Sequence, residues 1–166
     1  TGGSSKAGML SFLDSLEIET TRCVPSLFTF NLPMQSITQL SGIVTENVTT
    51  SLAGTKLKAD GPLLITDWGM SGPAILKLSS YGARILSEKQ YEMDLLVNWT
   101  GGMTEDMARQ MLQQYIAQQA KKQVSSVHPE YLKSRLWEHL LQKAQIRPEQ
   151  RWAELGSKGI NRLASV

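Results

Sequence analysis

The sequence predicts an α+β protein: a small antiparallel β-barrel-like part carrying one helix, followed by a helical part. Three observations carry that expectation. Segments between residues 26 and 99 alternate apolar and polar side chains, the two-residue period of a half-buried strand. Between residues 104 and 163 the apolar side chains instead recur every three or four positions, the period of a helix. The two patterns meet at Gly101-Gly102, a dipeptide suited to a turn or hinge. Charge changes at the same place: residues 1–103 hold 7 basic and 9 acidic side chains, and residues 104–166 hold 10 and 6. The chain is therefore expected to divide into residues 1–23, residues 24–103 and residues 104–166.

Met9, Phe12, Leu13 and Leu16 predict a short helix over residues 6–17. Pro25 then precedes a strand over 26–32 with Phe28, Phe30 and Leu32 on one face. Residues 42–52 are rich in Val and Thr, whose branched side chains suit a pleated surface. Ala53-Gly54-Thr55-Lys56 predicts a hairpin turn into a second strand from about Leu57, which Gly61-Pro62 should interrupt before Leu63. Residues 63–66 predict a buried strand that reaches a tight turn at Gly69. Ser71 is then expected to cap a helix whose first turn holds Gly72 and Pro73. Residues 91–99 form the plainest strand pattern, with Tyr91, Met93, Leu95, Val97 and Trp99 on one face.

In the helical part Thr104 is the expected cap. Glu105 and Asp106 follow where the helix dipole favours negative charge, and Lys121 and Lys122 lie where it favours positive charge. Met107, Met111, Leu112, Tyr115 and Ile116 make the stripe of that helix. Pro129 should open the next helix, striped by Leu132, Leu136, Trp137, Leu140 and Leu141. Pro148 should start a third helix, with Trp152 and Leu155, that Gly156 stops. Ile160 and Leu163 belong to a fourth.

Composition narrows the function. The 166 residues are 41% hydrophobic and 19% charged, ordinary values for a packed protein. A net charge of +2 gives no argument for nucleic acid as a partner. No apolar run is long enough to span a membrane, and no secretory signal is present, so a cytoplasmic location is expected. One cysteine, Cys23, and two histidines, His128 and His139, are too few for a conventional metal centre, so no metal is expected. His128 and His139 read as surface or structural residues. No catalytic set is visible: Ser71, Ser79 and Ser80 have no base nearby in sequence and no nucleophile elbow exists.

The most unusual segment is 61–79. Its Gly69 to Pro73 stretch reads either as a loop facing a cofactor or substrate, with free N–H groups at a helix mouth, or as a well-capped strand-to-helix turn with nothing bound. Thr1-Gly2-Gly3-Ser4-Ser5 could let a backbone approach a phosphate or flavin closely, or could be a frayed end. The chain opens on Thr and closes on a helical pattern, so both ends read as cut from a longer protein.

Residues 63–76, Leu-Leu-Ile-Thr-Asp-Trp-Gly-Met-Ser-Gly-Pro-Ala-Ile-Leu, resemble a segment of the bacterial BaiN-like or YhiN-like FAD-dependent oxidoreductases, also described as aminoacetone oxidase-like. Thr1-Gly2-Gly3-Ser4, the stretch Pro25 to Asn31, Val97-Asn98-Trp99 and the tail from Trp152 to Asn161 match the same family in order. The resemblance implies a domain inserted into the FAD-binding domain of the same chain, with residues 1–23 a remnant of that domain and a linker. It implies FAD in the full-length protein, Thr1, Gly2 and Gly3 near the cofactor, and none bound to these residues alone. Asp67, Trp68, Gly69, Ser71, Gly72 and Pro73 would then face the flavin and an unknown small-molecule substrate. The insert would be inactive by itself. Members of the family commonly have His where this chain has Asp67, which differs in charge and donor capacity. A Gly72→Leu change is expected to slow flavin reduction while leaving the insert folded. The other class of function open to the sequence is a non-catalytic interaction module that uses the basic helical part.

Overall fold

The computed structural model describes residues 6–166. Its centre is the predicted hairpin. Val44–Leu52 (β2) pairs antiparallel with Lys58–Ile65 (β3), closed by a turn in which Thr55 N–H donates to the Leu52 carbonyl at 3.2 Å. Gly69–Ser71 (β4) folds back on β3, and Phe30–Asn31 (β1) lies outside β4. Leu95–Asn98 (β5) pairs with the other side of β2. The order β1-β4-β3-β2-β5 is antiparallel throughout, and the sheet curls into a half-barrel. The α+β expectation is met.

Gly61-Pro62 does not interrupt β3. The register instead slips by one residue between Thr45 and Val48, opposite Pro62, so that β2 bulges there. Proline has no N–H to give the ladder, and a bulge lets the partner strand pass it. Burial follows the slip: Thr45 is inside, and Val48 and Thr50 resume the inward face beyond it. Two other expected strands come out shorter. Before Phe30, Phe28 N–H donates to Ser79 Oγ at 3.1 Å rather than to a strand. Before Leu95, Gln90 and Tyr91 take positive φ and Tyr91 N–H donates to the Leu86 carbonyl at 2.7 Å, which closes a helix end.

That helix is one of two where one was expected. Pro73–Tyr81 (α2) and Ala83–Glu88 (α3) meet at Gly82, where a Cβ would come 2.6 Å from Leu52 Cδ1. Sequence alternation cannot show that contact, because Leu52 arrives from the sheet. At the other end of the chain, Lys6–Ser15 forms the predicted helix (α1), though Phe12 and Leu16 are more than half exposed.

The helical part begins as the caps predict. Thr104 Oγ1 accepts from Met107 N–H at 3.3 Å and starts Glu105–Gln119 (α4). Its buried face centres on Ala108 and Leu112, with Met107 outside. Lys121 and Lys122 lie beyond the helix end. Pro129 sits in a turn, accepting from Leu132 N–H, and Ser134–Lys143 (α5) starts later because Lys133 is extended. Gly156 does not stop a helix but opens Gly156–Ala164 (α6), and Trp152–Glu154 is a single 3-10 turn. With φ of +61°, Gly156 turns the chain between the two in a conformation other residues seldom adopt.

One apolar cluster joins the two parts. It runs from Ile43, Val48, Leu63 and Ile65 in the sheet through Trp99 to Leu136, Leu141 and Trp152. Four rings stack within the helical part: Tyr115 on Trp152 at 5.1 Å, Trp152 on Trp137 at 6.2 Å, and Trp137 on His128 at 5.9 Å. Both indole N–H groups are satisfied by backbone carbonyls, Trp137 by Val124 at 2.7 Å and Trp152 by Val127 at 3.1 Å. A second, smaller cluster of Leu52, Ala59, Leu78 and Leu86 lies under α2 and α3.

Candidate functional site

Two places draw chemistry together: the β3–β4 hairpin tip and a cleft between sheet and helices. At the tip, Thr66 N–H donates to the Gly69 carbonyl at 2.8 Å and Gly69 N–H returns to Thr66 Oγ1 at 2.9 Å. The threonine side chain thus locks the turn in place of a longer ladder. The turn is Asp67-Trp68, just before the Gly69 where the sequence places it, and Gly69 already belongs to β4. Asp67 is exposed and the Trp68 indole is 47% exposed. The Trp68 carbonyl accepts from Leu32 N–H at 2.9 Å, which fixes the neighbouring segment where Met34 stands fully exposed.

The glycines of this stretch serve the fold. A Cβ on Gly69 would collide with the Phe30 carbonyl, and one on Gly72 would lie 2.8 Å from the Pro62 carbonyl. Gly72 also has φ of +98° and is itself the cap residue of α2, with no side-chain cap from Ser71. On the side where a Cβ would lie, Gly72 is packed on β3. Gly72→Leu is therefore expected to destabilise the insert, because the added side chain meets the β3 backbone. Ser71 is partly buried and Pro73 exposed. Thr1, Gly2 and Gly3 lie outside the described residues, so the structure does not place them beside Asp67–Pro73.

The cleft holds about 920 Å³. Its walls come from β5, the loop at 102–105, α4, α5 and the end of α6, so it exists only where the two parts meet. Tyr131, His139 and Lys143 bring polar chemistry to it. Tyr131 Oη donates to Met111 Sδ at 3.5 Å, and burial, with Tyr115 nearby, raises its phenol above the ordinary value. His139 is 9% exposed, and burial together with the Lys143 charge lowers its imidazole below the ordinary value. Sequence reasoning passed over these residues. The signal that could have found them is the His139–Lys143 spacing of four, which places both on one helix face beside the Leu140 stripe.

Among the described residues no group of three His, Cys, Asp or Glu side chains is assembled that could hold a metal ion. No helix among them is long and apolar enough to cross a membrane. Ser79, fully buried, donates to the Leu76 carbonyl at 2.9 Å and ties the 26–28 segment to α2; its role is structural. Cys23 is exposed.

After α5 the chain makes turns at 142–145 and 147–150 before the 3-10 turn that leads into α6, so two helices joined by turns stand behind a half-barrel. Residues 24–166 match the family model described as the HI0933-like protein barrel and H2TH domain. The chain belongs to the HI0933-like family. The match agrees with the resemblance read from the motifs. No curated protein matches the chain.

Proposed function

We propose that residues 24–166 form the substrate-side insert of an FAD-dependent oxidoreductase, covering the flavin that the FAD-binding domain of the same chain holds. In this reading residues 24–103 and 104–166 are two subdomains on one core. The Thr1-Gly2-Gly3 segment belongs to the flavin side. The insert supplies shape to the substrate pocket and is inactive without the flavin domain. FAD, when bound, carries the redox chemistry; the protein positions it and excludes water.

One observation carries the proposal: a half-exposed indole at a hairpin tip, locked by Thr66, with Met34 exposed on the adjoining segment. A rigid tip with an exposed aromatic face suits contact with a planar ring. Because backbone fills the glycine faces, Trp68 and Asp67 are the groups that reach the flavin, and Gly69 and Gly72 hold them in place. Asp67 offers a carboxylate that accepts hydrogen bonds when ionised, a different service from the imidazole common at that position in the resembling family.

The test uses the full-length protein with FAD bound. Trp68→Ala should slow flavin reduction and raise flavin fluorescence, since a nearby indole quenches it, with the circular dichroism spectrum unchanged. Unaltered fluorescence and an unaltered reduction rate would mean that the tip faces away from the cofactor.

A further inference from the structure

The geometry points to a binding site for a small amphiphilic carboxylate in the cleft between sheet and helices, its head held by His139 and Lys143. This inference does not rest on the flavin reading. His139 is nine-tenths buried, yet its imidazole makes no hydrogen bond to another of the described residues. No fully buried side-chain nitrogen or oxygen among the described residues lacks a partner, so its ring nitrogens reach solvent, and the space they reach is the cleft that His139 lines. A ligand oxygen entering the cleft would take the place of that solvent at a ring nitrogen the chain itself leaves unbonded.

Lys143 lies one helical turn further along α5 and lines the same cleft. The ion pairs among the described residues join Arg109 to Glu105 and Asp106 only, so no carboxylate neutralises Lys143. Arg135, one turn before His139, is engaged with the Gln39 carbonyl at 3.0 Å. The other titratable side chains on the cleft wall are Lys58, Asp94, Glu105 and Tyr131.

The charge pattern selects the ligand. An ammonium repels a metal ion, and one ammonium with one imidazole N–H matches the two oxygens of a monoanionic carboxylate. Leu32, Met70, Leu140 and Leu163 line the same cleft and ask for an apolar body behind the head. Its volume lies within the range of about 300–1,000 Å³ usual for small-molecule sites.

The chain has two histidines, so His128→Gln leaves a single imidazole signal in proton NMR. In that background, hexanoate should raise the pKa of His139 by roughly one unit, because a nearby anion favours the imidazolium. Hexanamide, with the same tail and no charge, should leave it in place, and inorganic phosphate, with no tail, should bind at least about tenfold more weakly. Lys143→Gln should weaken hexanoate about tenfold and Lys143→Arg should restore it. No shift with hexanoate, an equal shift with hexanamide, or phosphate binding as tight as hexanoate would each overturn the assignment.

Discussion

The half-barrel and the helical part are built on different terms. In the half-barrel, backbone meets backbone: Gly69 against Phe30, Gly72 against Pro62, and a bulge that lets Pro62 stay in a strand. In the helical part, side chains set the spacing, through four stacked rings whose indole N–H groups are each satisfied. The difference teaches where substitution is tolerated. Backbone contact leaves no room to repack, whereas a ring stack can lose volume and settle at a measurable cost.

The largest effect should come from breaking a backbone contact. Gly69→Val should abolish the cooperative fold, since the carbonyl its Cβ would overlap belongs to a paired strand. Loss of a cooperative urea transition would show it; a variant as stable as the parent would mean that β1 can detach freely. Trp152→Ala should cost about 3–5 kcal/mol, the range for deleting a buried large aromatic. Because the core is shared, hydrogen exchange should quicken at β2 amides as well as in α5. Acceleration confined to residues 104–166 would show that the two parts fold separately.

A smaller change sharpens the same comparison at the boundary. Thr104→Ala removes the hydroxyl that accepts from Met107 N–H and should cost about 1 kcal/mol, with no change in the sheet. The smallest concerns pH. The His139 pKa is lowered in the folded protein, so the unfolded chain binds the proton more tightly. Stability is therefore full above the ordinary histidine value and declines as pH falls below it. His139→Gln should flatten the stability profile between pH 7 and 5 relative to the parent. An identical slope in both proteins would place the titration elsewhere.

Much of the candidate site was legible and part was not. The Thr66 to Pro73 stretch stood out through its glycines, and its neighbourhood to β3 followed from chain continuity. What those glycines face was not legible, since Phe30 lies 39 positions away from Gly69 along the chain and only strand pairing brings them together. The cleft was invisible for the same reason. His139 looked like a histidine without company because the cleft it lines is closed on its far side by the other half of the molecule.

The sequence by itself determined the local terms: the β2–β3 hairpin, the Thr104 cap, the inward stripe of Leu136, Trp137, Leu140 and Leu141, and the change of period near Gly101-Gly102. Each depends on residues within a turn or two of one another, so the neighbours are known without the fold. Tertiary structure decided the rest. Whether Pro62 breaks a strand depends on its partner's ability to bulge. Whether Gly156 ends a helix or begins one depends on where Trp152 must pack. A free energy shared between distant segments cannot be read from either segment alone.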